Sequence, residues 1–178
     1  MRSDKALLPF GKYSSLAQFQ YERLQPLFND IYLSAKSAEK FNFDAKVISD
    51  SKDIDTFAPT AGFVSIFQRL KSDRIFVLSV DTPFVSESEI AQLLNADTTN
   101  LDAVIARTST GIHPMCGIYH RSLLNDFELM AKENKHRLGM LIKSSNTHFV
   151  DFEDEAIFAN LNHPHEYEKA LEKQKNTR

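Results

Sequence analysis

The stretch Arg74-Ile75-Phe76-Val77-Leu78-Ser79-Val80-Asp81-Thr82-Pro83 limits the fold more than any other part of the chain. A strand with one wet face alternates apolar and polar residues. Residues 75–80 are apolar at every position except Ser79, the pattern of a strand buried on both faces. Such burial needs a layer of helices on each side of the sheet, which is an α/β sandwich. Pro83 then ends the ladder, because proline has no N–H to donate.

The rest of the chain alternates between strand-like and helix-like patterns in the same way. Ser14 and Ser15 can cap a helix to about Phe28, in which Leu16, Phe19, Leu24, Leu27 and Phe28 share one side. Strands are predicted over 31–33, 45–48, 103–106 and 147–152, with 115–119 extended. Helices are predicted over 61–70, from a Ser86 or Ser88 cap to Leu94, over 122–132, over 138–143, and over 164–172 with Pro164 in the first turn. A length of 178 residues fits one domain spanning 1–178, large enough to bury about two-thirds of its unfolded surface.

Charge and cysteine usage narrow the function classes. A net charge of −3 with scattered basic residues gives no long-range attraction to nucleic acid, so none is expected as a partner. No apolar run approaches the roughly 20 residues of a membrane helix, so no membrane is expected either. Cys116 is the single cysteine, which excludes an internal disulfide and a cysteine-rich zinc site and fits a reducing cytoplasm. Its own reading is a small buried apolar residue.

Asp81 carries the strongest chemical signal. In an open α/β sheet the ligand crevice lies beyond the carboxyl ends of the strands, where an acid can hold Mg²⁺ together with water and substrate phosphates. The plainer reading is an aspartate that caps the turn before Thr82 and Pro83. Arg2, Ser3, Asp4 and Lys5 look like the end of a phosphate-handling loop, with Lys5 as counter-charge to an acid and metal site. Asp50 ends the strand candidate in Val47-Ile48-Ser49-Asp50-Ser51 as a site residue or a turn former. In Phe57-Ala58-Pro59-Thr60-Ala61-Gly62, Gly62 allows a turn in which backbone approaches a ligand or a helix starts. His113 can face the site from the turn at 111–114 or serve only the loop. His163 and His165 would not share a helix face, which argues against a transition-metal site. Asn160 and Asn162, two apart, point the same way in extended chain; either amide oxygen could be a second Mg²⁺ ligand, and helix capping also explains Asn162. The basic stretch Lys135-His136-Arg137 is either a phosphate contact or a solvated charge run.

Six stretches in this order, Ser3-Asp4-Lys5-Ala6-Leu7-Leu8-Pro9-Phe10, Asp50-Ser51, Ala58-Pro59-Thr60-Ala61-Gly62, Val80-Asp81-Thr82-Pro83-Phe84, residues 113–119 and Asn160-Leu161-Asn162-His163-Pro164, resemble the molybdenum cofactor guanylyltransferases, the MobA family. The resemblance spans essentially the whole chain. It implies a Rossmann-like nucleotidyltransferase sandwich, with a mostly parallel sheet and helices on both faces. The implied reaction joins GMP from GTP to the phosphate of molybdopterin and releases pyrophosphate, with Mg²⁺ as cofactor. Lys5, Asp81, Asn160 and Asn162 are then catalytic, Asp81 holds the metal, and Lys5, Asp50, Pro59, Gly62 and Asp81 bind GTP. GTP and molybdopterin are the implied substrates, and carrier or acceptor enzymes of the molybdenum cofactor the implied protein partners.

The sequence departs from the family pattern at several points. Ala58 replaces the first glycine of a Gly-Pro-Leu-Ala-Gly turn, and His163 replaces a threonine before Pro164. The family also begins with a strand running into Leu-Ala-Gly-Gly-x-Ser-x-Arg-Met-Gly, and Met1 looks like that methionine. The expectation is therefore a missing first strand and most of the phosphate loop, a native polypeptide longer by about fifteen residues, and a poorly stable sheet without them. Two other readings fit the same residues: a related nucleotidyltransferase that uses CTP, and an inactive molybdopterin-binding remnant.

Overall fold

The computed structural model describes residues 4–49 and 59–176. A 3₁₀ turn at Lys5–Leu7 leads to helix α1 (Leu16–Leu24), capped by the Ser15 side chain accepting from Gln18 N, as the serine pair predicts. Two short strands follow, β1 (Leu33–Ala35) and β2 (Val47–Ser49), then helix α2 (Pro59–Arg69) and strand β3 (Arg74–Leu78). Helix α3 (Glu87–Ala96) begins at Ser86 with a full capping box, in which Glu89 reaches back to the Ser86 N–H at 2.7 Å. Strands β4 (Ala103–Thr108) and β5 (Gly111–His120), helices α4 (Leu124–Lys132) and α5 (Leu138–Ser144), strand β6 (Thr147–Asp151) and helix α6 (Pro164–Asn176) complete the order.

The strands form two sheets. β1 and β2 pair in parallel, and the larger sheet has the order β3-β5-β4-β6. In that sheet β5 is antiparallel to both β3 and β4, while β4 and β6 are parallel, so β5 alone runs against the other strands. The register between β4 and β5 breaks once: Ile105 faces Gly117, but Ala106 faces His113. Residues 114–116 of β5 are thus extra with respect to β4, a bulge closed by Tyr119 Oη donating to Pro114 O at 2.5 Å.

Alternation along β4 divides the core. Val104 and Ala106 point to one face, where they meet Leu24 of α1 and Ile90 and Leu93 of α3; Ala103 and Ile105 point to the other, against Phe63 of α2, Phe127 of α4 and Ile142 of α5. On the second face the Phe63 and Phe127 rings stack at 4.5 Å. A third cluster, built on Phe10, Leu16, Leu161 and Ala170, joins the start of α1 to α6.

One expectation needs correction. Residues 75–78 of β3 are half-buried, not enclosed on both faces. β3 is the outer strand of its sheet, and beside it lies a cavity of about 1130 Å³ that also meets β1, α1 and α2. The run is apolar, but burial depends on a neighbour that sequence pattern alone does not supply. The helix predicted over 61–70 is present and starts two residues earlier: Pro59 is the first residue of α2, where its fixed φ suits the first turn, and Gly62 lies inside that helix.

Candidate active site

The site is built where β3 ends. Ser79 N donates to Met115 O at 2.8 Å, the last bond of the ladder, and the chain then turns, with Thr82 Oγ1 donating to Ser79 O at 2.8 Å. One buried side chain fixes this turn. Gln20 Nε2, from α1, donates to the carbonyls of Ser79, Val80 and Thr82 at 3.3, 3.1 and 3.2 Å. Its oxygen accepts from Arg23 Nε at 2.6 Å, and Arg23 Nη1 donates to Val85 O at 2.7 Å. Burial pushes the Arg23 guanidinium down to about 10.

The turn aims Asp81 at two other segments. Lys5 Nζ lies 2.7 Å from Asp81 Oδ2 and 2.5 Å from Asn162 Oδ1. Ser79 Oγ donates to the other carboxylate oxygen, Oδ1, at 2.6 Å. Asp81 also binds through its backbone, since its carbonyl accepts from Leu161 N at 3.0 Å and so holds the segment that carries Asn160 and Asn162. Lys5 is presented by its 3₁₀ turn, which Asp4 caps by accepting from Ala6 N at 3.0 Å. Burial works against ionisation of Asp4, but hydrogen bonds from Lys40 and Ala6 outweigh it and hold the carboxyl below its ordinary range.

Asn162 does not cap α6 with its side chain. That task falls to Glu166, whose carboxylate accepts from Asn162 N at 2.7 Å and His163 N at 2.8 Å. Those two backbone bonds, that from His163 first, hold the exposed Glu166 below the usual carboxylate range. The Asn162 amide is thereby left to Lys5. His163 takes part through its backbone N–H, while its ring lies exposed and stacked on His165 at 5.6 Å.

Two cavities meet at Ser79 and Met115, which line both. The larger has a polar mouth at Asp4, Lys36, Ser37 and Lys40, with Lys40 paired to Asp4 at 2.9 Å, and Pro59 and Gly62 line it from α2. The smaller, about 270 Å³, is lined by Ser79, Asp81, His113, Phe158 and Asn160 among others. His113 is fixed there between the Phe158 ring, stacked at 4.5 Å, and Thr108 Oγ1, 3.0 Å from Nε2. Burial keeps its pKa below the ordinary histidine value.

The structure thus joins Lys5, Asp81 and Asn162 directly and places Asn160 on a cavity wall with Asp81. Pro59 and Gly62 face the other cavity, and Asp50 lies outside the described residues. The Lys135-His136-Arg137 stretch is committed elsewhere: His136 Nδ1 is 2.6 Å from Thr60 Oγ1, and Lys135 pairs with Glu133 at 2.8 Å. Sequence reading passed over Ser79, Gln20, Lys36, Lys40 and Glu166. The first had a signal, because two residues before Asp81 in an extended chain is the same side. So did Gln20, a polar residue on the buried side of α1 between Leu16 and Leu24.

Among the described residues no group of three or more His, Cys, Asp and Glu side chains could hold a metal. A cation here would rest on Asp81, amide oxygens and substrate oxygens, a donor set suited to Mg²⁺ and not to zinc. The Lys5 ammonium already lies between the oxygens of Asp81 and Asn162, so this pair is arranged to hold positive charge. No described helix is long and apolar enough to cross a membrane.

Comparison with known proteins places these residues in context. The profile of the MobA-like NTP transferase domain matches residues 1–148. The chain is 38% identical over 169 residues to a molybdenum cofactor guanylyltransferase of Campylobacter jejuni, covering 95% of this chain and 87% of that one. It is 33% identical over 172 residues to a molybdenum cofactor guanylyltransferase of Helicobacter pylori, covering 97% and 83%. Among solved structures, molybdopterin-guanine dinucleotide biosynthesis protein A from Archaeoglobus fulgidus superposes with a TM-score of 0.82 over 98% of this chain and 92% of that chain. At 19% identity this is a likeness of fold.

Proposed function

Because the chain belongs to the MobA-like NTP transferase family, we propose that it transfers GMP from GTP to the phosphate of molybdopterin, giving the guanine dinucleotide cofactor and pyrophosphate. The observation that carries this reading is the convergence of Lys5, Asp81 and Asn162, with 76 and 157 positions of sequence between Lys5 and its two partners. An ammonium, a carboxylate and an amide held at the end of a sheet are what phosphoryl chemistry asks of a protein: charge and position, not a nucleophile.

An oxygen of the molybdopterin phosphate attacks the α-phosphorus of GTP, the α–β bridging bond breaks, and its electron pair leaves with pyrophosphate. Lys5 offsets the negative charge that grows on the leaving group. Asn162 holds the Lys5 side chain toward the site, and Ser79 fixes the rotation of the Asp81 carboxylate. Asp81, with the amide oxygens of Asn160 and Asn162, would hold Mg²⁺, which when bound neutralises charge on the phosphate oxygens. We assign the guanine nucleotide to the mouth of the larger cavity, with Pro59 and Gly62 on its α2 side, give Asp50 a guanine contact on the family resemblance alone, and assign the acceptor phosphate to the smaller cavity beside Asn160 and His113. The reaction is placed in the cytoplasm, where the buried thiol of Cys116 needs no oxidising compartment, and its product would pass to carrier or acceptor enzymes of the cofactor.

GTP labelled at the α-phosphate, supplied with molybdopterin and Mg²⁺, tests the assignment. Label should move into a dinucleotide product, and Asp81→Asn should reduce that transfer by about a hundredfold or more while leaving the circular dichroism spectrum unchanged. Preferential use of CTP in the same assay would overturn the guanine assignment. Binding of molybdopterin without any transfer would support a non-catalytic protein instead.

A further inference from the structure

A hydroxyl, an imidazole and an amide are joined in series beside the start of α2. Thr60 Oγ1 is 2.6 Å from His136 Nδ1, and His136 Nε2 is 2.7 Å from Asn134 Oδ1. An amide oxygen facing Nε2 requires the ring hydrogen there, so Nδ1 is the acceptor and the Thr60 hydroxyl donates to it. The same order of groups activates nucleophiles in hydrolytic enzymes. Here it cannot, because Thr60 is wholly buried and lines neither cavity. The series therefore acts through what it holds.

It holds the first turn of α2. Thr60 is the second residue of that helix and stands between Pro59 and Gly62, which both line the larger cavity. Farther along, α2 is seated on α4: Phe67 as well as Phe63 stacks on Phe127, and Gln68 Nε2 donates to Glu128 Oε1 at 3.1 Å. His136 extends this seating to the start of the helix. The ring is presented by a fixed corner at the end of α4. Asn134 has a φ of 53°, the left-handed conformation that asparagine tolerates better than most residues. Its N–H donates to Ala131 O at 3.2 Å, and the N–H of Lys135 donates to Met130 O at 2.9 Å. Past the ring, buried Leu138 anchors the start of α5. Asn134 thus closes α4 with its backbone and sets the His136 tautomer with its side chain.

We propose that His136 is a positioning residue which, acting through Thr60, fixes the first turn of α2 and with it Pro59 and Gly62 at the nucleotide mouth, given the guanylyltransferase reading of that mouth. None of the three groups reaches the phosphates. Their loss should weaken nucleotide binding and leave the chemical step nearly intact, which raises KM at unchanged kcat.

The full chain is compared with His136→Ala, with Thr60→Val, with both changes together, and with His136→Asn, whose amide oxygen falls near the place of Nδ1. In the labelled transfer assay, His136→Ala and Thr60→Val should each raise KM for GTP about tenfold with kcat within about twofold, the scale of leaving one of two buried partners unpaired. The double variant should be no worse than either single one, because both changes remove the same bond. His136→Asn should restore most of the affinity. Phe63 and Val64 carry the first amides bonded within α2. Their exchange should speed about tenfold in His136→Ala and Thr60→Val, while exchange at Ile105, inside the larger sheet, stays as it is. A fall in kcat at unchanged KM, additive losses in the double variant, or unaltered exchange at Phe63 and Val64 would overturn the proposal. A wild-type chain that uses no GTP would refute the guanylyltransferase reading instead, and exchange at Phe63 and Val64 would still decide whether His136 holds α2.

Discussion

Asn162 Oδ1 accepts a hydrogen bond from Lys5 Nζ at 2.5 Å across 157 positions of sequence, and the Asn162 amide is free to do so because Glu166 has taken over the capping of α6. Asn162→Ala should leave Lys5 paired to Asp81 alone. With Lys5 less firmly directed to the reacting phosphates, kcat/KM for guanylyl transfer should fall about tenfold to a hundredfold, the scale of losing a positioning contact. The thermal midpoint should hardly move, since Asn162 is exposed. An unchanged rate would make Asn162 a spectator.

Ser79 Oγ holds Asp81 Oδ1 at 2.6 Å. Ser79→Ala should therefore act through the carboxylate, by raising the Mg²⁺ concentration needed for half-maximal activity about tenfold or more, the usual effect of losing a partner of a metal ligand. Restored activity at high Mg²⁺ is the expected signature. A loss that no metal concentration rescues would point to a different role.

Gln20→Leu keeps the volume of a buried residue but removes the donor shared by three carbonyls and the acceptor of Arg23 Nε. Unfolding by urea should show a loss of about 1–3 kcal/mol, the cost of leaving buried polar groups unpaired. Activity should fall with it, because the same turn carries Asp81.

Local chemistry made much of the fold legible. Ser15 and Ser86 cap the helices that their sequences announce, Pro164 opens α6, and the apolar run before Asp81 is a strand. The pairing of Lys5 with Asp81 could be anticipated because a phosphate site needs both charges. Long-range facts were not legible in the same way. Nothing local tells that β5 extends over Gly111–His120, that Gln20 spans a turn 59 residues away, or that β3 and β1 face one another across a void. Those depend on which strands become neighbours, and strand pairing is decided by packing and not by propensity.

The pH dependence of stability should carry a mark of His113. Burial lowers its pKa, against a smaller opposing pull from Glu155. The unfolded chain therefore takes up the proton first, at about pH 6.5. Stability from this group is complete above that value and is lost as pH falls toward the lower folded pKa. The urea midpoint should drop between about pH 7 and about pH 5.5, and His113→Gln should make that drop shallower. Equal slopes for the two proteins would show that His113 does not titrate in this window.

Cys116 is 1% exposed, and burial pushes its thiol up to about 12. A thiol-specific reagent should not modify the native protein at neutral pH and should react at once in denaturant. Fast modification without denaturant would mean that β5 opens far more readily than its two partners suggest.

The break in register between β4 and β5 separates two kinds of evolutionary freedom. From Gly117 onward β5 is pinned: a Cβ at Gly117 would collide with Val104 O, and Tyr119 is wholly enclosed. Beyond the bulge, residues 111–113 pair with β4 in their own register and carry His113 to the smaller cavity. A change in the length of that outer segment would reset which side chain lines the smaller cavity without shifting a single pair in the inner segment. The smaller cavity could therefore be reshaped by editing one short stretch of β5, while the core that supports Asp81 stayed as it was.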